Sequence, residues 1–215
     1  MFVLDPALTD LAVRCWPDGC PRGKTCCDSL TVEVSKREVR AIDGVMDEIS
    51  GIMPGLREGR GCYASVFIEE EPPNLLIEPR EDGSCPFLRR TRDHSLCSIH
   101  QLALATDRPV PSIKPAACRH WPVMLEQDGE RIRVSVQPSA SSIGCVAPRA
   151  NLPRQPSVLE VYREEILEMC GAAIEPLLVR RLAADRRRQA TAKGKTGKVG
   201  KTITKAGSGH RRGGR

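Results

Sequence analysis

Aromatic residues are scarce in this chain. Phe2, Trp16, Tyr63, Phe67, Phe87, Trp121 and Tyr162 are the whole set among 215 residues. Aromatic side chains bury the most area each, so a core here is built mainly from aliphatics. A modest core is often reinforced by a metal or by disulfides. No run of 18 apolar residues occurs, so no membrane-spanning helix is expected. The opening residues, Met1-Phe2-Val3-Leu4-Asp5-Pro6, lack a basic stretch followed by an apolar one, so no secretory signal is expected. The expected location is cytoplasmic, with no membrane partner. Thiols stay reduced there, and clustered cysteines more often bind metal than form a disulfide framework. No His/Asp/Ser constellation marks a catalytic centre, and Glu69-Glu70-Glu71 reads as a solvated acidic turn.

Cysteine, by contrast, is plentiful. Ten are present, at positions 15, 20, 26, 27, 62, 85, 97, 118, 145 and 170. Four fall in the segment Cys15-Trp16-Pro17-Asp18-Gly19-Cys20-Pro21-Arg22-Gly23-Lys24-Thr25-Cys26-Cys27, among Pro and Gly that bend the backbone. A thiol is ordinarily a small buried hydrophobe scattered through a core. Cysteines clustered in a polar, turn-rich loop are not packing a core. Eight of the ten, Cys15, Cys20, Cys26, Cys27, Cys85, Cys97, Cys118 and Cys145, sit in such contexts and are the candidate metal ligands. Cys62 begins a strand-like run and Cys170 lies on the apolar side of a helix, so both read as structural.

Adjacent side chains in an extended segment point to opposite faces. On that premise Cys26 and Cys27 serve two metals, or two atoms of one cluster. Eight thiolates suit two four-thiolate sites or one polynuclear centre. The spacings C-x₄-C and C-x₅-CC depart from the tight knuckles of most structural zinc sites, and Cys85-Pro86 matches the Cys-Pro that ends bacterial iron–sulfur motifs. Both metals accept all-thiolate ligation, so the cofactor is an iron–sulfur cluster or zinc, with iron–sulfur ahead. Of the nearby histidines, His94, His100 and His120, each can be a surface or hydrogen-bonded group, and that reading is preferred for His94. His120, two residues after Cys118, is the best candidate for supporting a ligand.

The elements expected are those of an α+β fold: a small metal-stabilised domain with short strands, a β-hairpin and a long C-terminal helical segment. Ser35-x-x-Glu38 and Ser157-x-x-Glu160 are capping boxes that open helices. Val39, Ile42, Met46 and Ile49 fall at helical spacing, with Gly51 and Pro54 marking the end. Leu30–Val34, Tyr63–Ile68 and Asn74–Glu78 read as strands. Asp128-Gly129 between apolar runs signals a hairpin. Val158, Val161, Tyr162, Ile166 and Met169 form a stripe, continued by Ile174, Leu177, Leu178 and Leu182 with a kink near Pro176. The expected organisation is a cysteine-cluster domain over 1–148, a helical segment over 149–188 and a disordered basic tail over 189–215.

Charge divides the same way. The net +6 comprises −6 over residues 1–179 and +12 from Arg180 onward, where 13 Lys or Arg accompany one acid, Asp185. An acidic partner or a nucleic acid is the partner class such a tail implies. The absence of aromatics among its basic residues argues against a dedicated nucleic-acid reader.

Taken in order, the motifs carry a family resemblance. They are C-x₄-C-x₅-CC, Thr31-Val32-Glu33 before a helix, Cys85-Pro86-Phe87-Leu88, Cys97-Ser98-Ile99-His100, Lys114-Pro115-x-x-Cys118-Arg119-x-x-Pro122 and Gly144-Cys145. This series, over residues 12–148, resembles the YkgJ-type cysteine-cluster family, also called the CxxCxxCC domain. The first spacings are longer than the family's name implies, and Ala103–Pro111 lengthens the link to Cys118. The resemblance implies zinc or iron chelation. A related cluster in flagellin lysine N-methylase suggests cluster-dependent methyl transfer as an alternative, but no Gly-rich loop following a strand offers the usual S-adenosylmethionine cradle. The functional expectation is a metal-binding protein with a structural, redox or metal-handling role. The competing expectations are a cluster-dependent enzyme and a nucleic-acid or ribosome-associated module.

Overall fold

A computed structural model describes residues 1–14, 20–21, 25–28, 30–59, 62–69, 75–143, 146–152 and 154–196. The chain is mixed α+β, with short strands in small sheets between helices. It divides into two compact units, Met1–Glu175 and Pro176–Arg215.

In the first unit, one sheet has Arg131–Val136 at its centre. Phe2–Leu4 pairs with it in parallel and Val123–Asp128 antiparallel. The latter pair is the expected hairpin. Asp128 is opposite Arg131, which makes Gly129 and Glu130 the two loop residues. Gly129 takes φ +59°, the first central position of a II′-like turn, where only glycine sits without strain. A second sheet has Leu75–Ile77 between Val32–Val34 and Phe67–Glu69. A third joins Cys20–Pro21, His94–Cys97 and Leu88–Arg90. The expected strand over Tyr63–Ile68 is split. Cys62–Tyr63 pairs with Arg57–Gly59, and only Phe67 onward joins the second sheet.

Both capping boxes form. The Ser35 hydroxyl accepts the Glu38 N–H, and the Glu38 carboxylate accepts the Ser35 N–H at 2.7 Å. Ser157 and Glu160 repeat the arrangement at the start of Val158–Val161. The helix opened by Ser35 runs Lys36–Asp43 and stops at Gly44. A second runs Met46–Ile52. Ile42, Met46 and Ile49 are nonetheless all buried in one core with Val32, Val34 and Phe87, so the stripe holds across the break. Gly51 lies inside the second helix and does not end it, while Pro54 opens a 3₁₀ turn.

The C-terminal helices break where glycine and backbone geometry dictate. Val158–Val161 gives way at Tyr162, and Arg163–Cys170 ends at Gly171, whose φ is +73°. Pro176 is not the kink expected of it. It is the second residue of the helix Glu175–Thr196, where its missing N–H has no intrahelical partner to lose. That helix runs well past Gln189, the point at which composition turns polar.

Candidate metal centre

The cysteines reach one place by local structure that can be followed bond by bond. Cys26–Asp28 is a single 3₁₀ turn. The Asp28 carboxylate shapes it by accepting the Thr25 N–H and hydroxyl, both at 2.8 Å, and one Arg90 N–H at 2.6 Å. The Cys85 N–H then donates to the Cys27 carbonyl at 2.7 Å, which joins two loops far apart in sequence. The Leu88 N–H donates to the Cys85 carbonyl and leads into Leu88–Arg90. That strand pairs with His94–Cys97, placing Cys97 opposite Leu88, and the other edge of His94–Cys97 sets Ser95 opposite Cys20. Cys97 is also the N-cap of Ser98–Ala105.

Cys118 arrives on the short helix Ala116–His120, which packs beside Val32–Val34. Glu38 fixes this helix. One oxygen of its carboxylate accepts the Ala116 N–H at 2.7 Å while the other completes the Ser35 capping box. Burial pushes Glu38 up, but the Ala116 and Ser35 N–H groups, the Ser35 hydroxyl and the Arg119 charge together outweigh it and hold the carboxyl below its ordinary range. From the other side, both Arg119 Nη groups donate to the Glu168 carboxylate, at 2.5 and 2.7 Å, tying the helix to Arg163–Cys170.

Cys20, Cys26, Cys27, Cys85, Cys97 and Cys118 line one cavity of about 850 Å³. Cys85, Cys97 and Cys118 rest, half-buried, against the core. The Cys27 thiol is pushed well up, first by its hydrogen bond with Cys26, then by burial and by charge on Cys26, Cys97 and Cys85. Burial and the Cys97 charge push Cys85 up to about 12. Burial raises Cys118 strongly, aided by Cys97, Cys85 and Cys26 and opposed by Lys114. Burial and neighbouring charge thus favour the protonated forms of Cys27, Cys85 and Cys118. A bound cation reverses that balance by binding the anionic form.

The donor set fits a soft metal, since clustered thiolates suit zinc and iron–sulfur centres. Its arrangement is open: among the described residues, no group of three or more His, Cys, Asp or Glu side chains is drawn together to hold an ion. Among the described residues, cysteines 20, 26, 27, 62, 85, 97, 118 and 170 are not joined in disulfides. Cys15 and Cys145 lie outside the described residues.

Two sequence readings need correction. Cys26 and Cys27 are not on an extended segment. A 3₁₀ turn rotates successive residues by about 120°, and both thiols line the same cavity. Cys62 is exposed and does not pack in a core. His120 is not among the cavity-lining residues, and its Nε2 lies 3.7 Å from Glu168. His100 is the histidine that lines the cavity, with Nδ1 3.1 Å from Lys114 Nζ. Nothing local marks the His100–Lys114 pair, because its members come from separate segments. His94 is exposed and Cys170 is half-buried at a helix end, as their sequence contexts suggest.

Comparison with family models, with curated proteins and with solved structures yields no match.

Proposed function

We propose that the chain is a cysteine-cluster metal-binding protein of YkgJ-type character. Cys20, Cys26, Cys27, Cys85, Cys97 and Cys118 supply thiolates, and Cys15 and Cys145 complete the set. One observation carries this reading: Cys20, Cys26, Cys27, Cys85, Cys97 and Cys118, brought from separate segments, line a single cavity. Packing alone gives no reason to gather them, whereas a cation neutralises their mutual repulsion. Iron–sulfur stands ahead of zinc, because the spacings fit zinc knuckles poorly. When bound, an iron–sulfur cluster supplies electron transfer, and zinc supplies a structural cross-link. The role is structural, redox or metal-handling.

The test is anaerobic purification followed by elemental analysis and an absorption spectrum. Stoichiometric iron with a band near ~400 nm is expected for a thiolate-bound iron centre. Stoichiometric zinc without that band would keep the site and change the metal. A chain carrying neither metal, and taking up neither on reconstitution, would end the reading.

A second partner class is favoured by the helix Glu175–Thr196, on which Arg180, Arg186, Arg187 and Arg188 are exposed. These residues suit an acidic protein or a nucleic acid. Retention on a DNA oligonucleotide should then weaken as salt rises and vanish when residues 176–215 are removed.

A further inference from the structure

Cys26 and Cys27 differ from the other cavity thiols in needing no second segment to bring them together. The turn Cys26–Asp28 holds them as neighbours, both line the cavity, and a hydrogen bond joins their side chains. The turn is itself fixed, because the Asp28 carboxylate accepts the Thr25 N–H and hydroxyl and one Arg90 N–H. Among the described residues, no group of three or more His, Cys, Asp or Glu side chains is drawn together to hold an ion. The arrangement as it stands therefore meets a ligand that asks for two sulfurs.

The space that the pair lines is much larger than an ion needs. An ion ringed by sulfurs at ~2.3 Å occupies on the order of 50 Å³. The cavity holds about 850 Å³, within the usual range for a small-molecule site of roughly 300–1,000 Å³. Much of the remaining wall is aliphatic, with Leu30, Val32, Ile77, Leu104 and Val110 among the lining residues. Leu104 is left 46% exposed, apolar surface that a ligand's body would cover. One class of soft centre takes two thiolates and keeps a valence for carbon: trivalent arsenic bearing a single organic substituent. Inorganic arsenite, which has no carbon, asks for a third sulfur. Thiolate is the donor such a soft centre selects.

We propose that Cys26 and Cys27 bind a monosubstituted trivalent arsenical, as a cyclic dithioarsinite whose apolar organic group lies against the aliphatic wall of the cavity. The step is a condensation. A dihydroxyarsine forms two As–S bonds, its two As–O bonds break, and each thiol proton leaves with a hydroxide as water. Arsenic stays trivalent and neither sulfur changes oxidation state, so no oxidant or reductant enters. The hydrogen bond between the thiols is given up with their protons. The proposal rests on the metal-centre reading only in using two of the same thiols, and the two ligands exclude each other there.

The test uses the full-length chain, purified anaerobically with a chelator. The probes are phenylarsine oxide, which hydrates to the dihydroxy form, methylarsonous acid and arsenite. Trypsin, cutting after Lys24 and Lys36, releases the peptide Thr25–Lys36, which carries Cys26 and Cys27 and no other cysteine. Stoichiometric phenylarsine oxide should protect this peptide from alkylation, and a small dithiol that strips the arsenical should restore labelling. Arsenite should protect it least. The ratio of phenyl to methyl affinity should be at least tenfold higher in the folded chain than in urea, where only sequence adjacency remains, because the folded wall buries the phenyl carbons. Cys26→Ser and Cys27→Ser should each abolish protection of the remaining thiol, and Cys62→Ser should leave it intact. Alkylation unaffected by phenylarsine oxide, protection of Cys26 that survives Cys27→Ser, or the same phenyl-to-methyl ratio in urea would each overturn the proposal. Iron and zinc uptake, measured on chain purified without chelator, separates the two readings. Arsenical protection without uptake of either metal removes the metal centre and leaves this site. Metal uptake without arsenical protection does the reverse.

Discussion

Cys26 and Cys27 show at the residue scale what a single turn of backbone decides. On an extended segment they would face apart and serve different metals. On the 3₁₀ turn Cys26–Asp28 they share a hydrogen bond and a cavity. If both thiols serve the one centre proposed above, Cys26→Ser and Cys27→Ser should each lose most of the bound metal, read as metal per chain by elemental analysis. Retention of about half in each would restore two independent sites. Cys62→Ser and Cys170→Ala should keep wild-type metal, because neither thiol lines the cavity. The raised thiols also set a pH dependence for the metal-free chain. Cys85 is pushed from 9.0 to about 12 on folding, so above pH 9 the unfolded chain loses this proton first. Its contribution is complete below pH 9 and is lost as pH rises toward 12. Thermal melts of the metal-free protein should fall across that window, and more shallowly in Cys85→Ser. Metal binding should run the other way, strengthening as pH rises and releasing protons into a weakly buffered solution.

At the scale of elements, the helix Ala116–His120 is too short to hold its own position. A five-residue helix has almost no complete intrahelical hydrogen bonding, so its placement comes from Glu38 on one side and Glu168 on the other. Glu38→Ala removes a capping box and the Ala116 tie together. It should cost about 1–3 kcal/mol in denaturant unfolding, while Glu38→Gln, which keeps acceptors, should cost less. Because the Glu38 pKa is depressed, its contribution is present above the ordinary carboxylate range and declines as pH falls through it. The Glu38→Ala penalty should therefore shrink in acid. Features of this kind also mark how far sequence reading reaches. Ser35–Glu38, Ser157–Glu160 and the Asp128-Gly129 hairpin were legible because each is closed within a few residues. The halt at Gly44 was not, since Val39, Ile42, Met46 and Ile49 keep helical spacing straight through it. Pro176 was misread because the same residue opens one helix and breaks another, depending on where the preceding helix stops. Six of the eight cysteines read from polar contexts line the cavity. The second bond of Glu38, made across 78 positions to Ala116, has no local trace.

At the scale of the whole molecule, the cavity-lining residues all belong to Met1–Glu175, while the basic run belongs mainly to Pro176–Arg215. Truncation after Thr196 should leave metal content and melting temperature unchanged, and metal loss in that variant would tie the final residues to the centre. The route by which the thiols meet has a further consequence, in time rather than in energy. The Cys85 N–H closes on the Cys27 carbonyl, and Cys118 arrives only after roughly ninety more residues than Cys27. At the pace of ribosomal synthesis, ~5–20 residues per second, Cys20, Cys26 and Cys27 wait on the order of 5–20 seconds for their last described partner. During that interval the three thiols lack Cys85, Cys97 and Cys118, the later-made thiols that line the same cavity. On the proposed metal-binding reading, filling of the site would thus be a late event in the life of the nascent chain, since Cys118 emerges only after the early thiols.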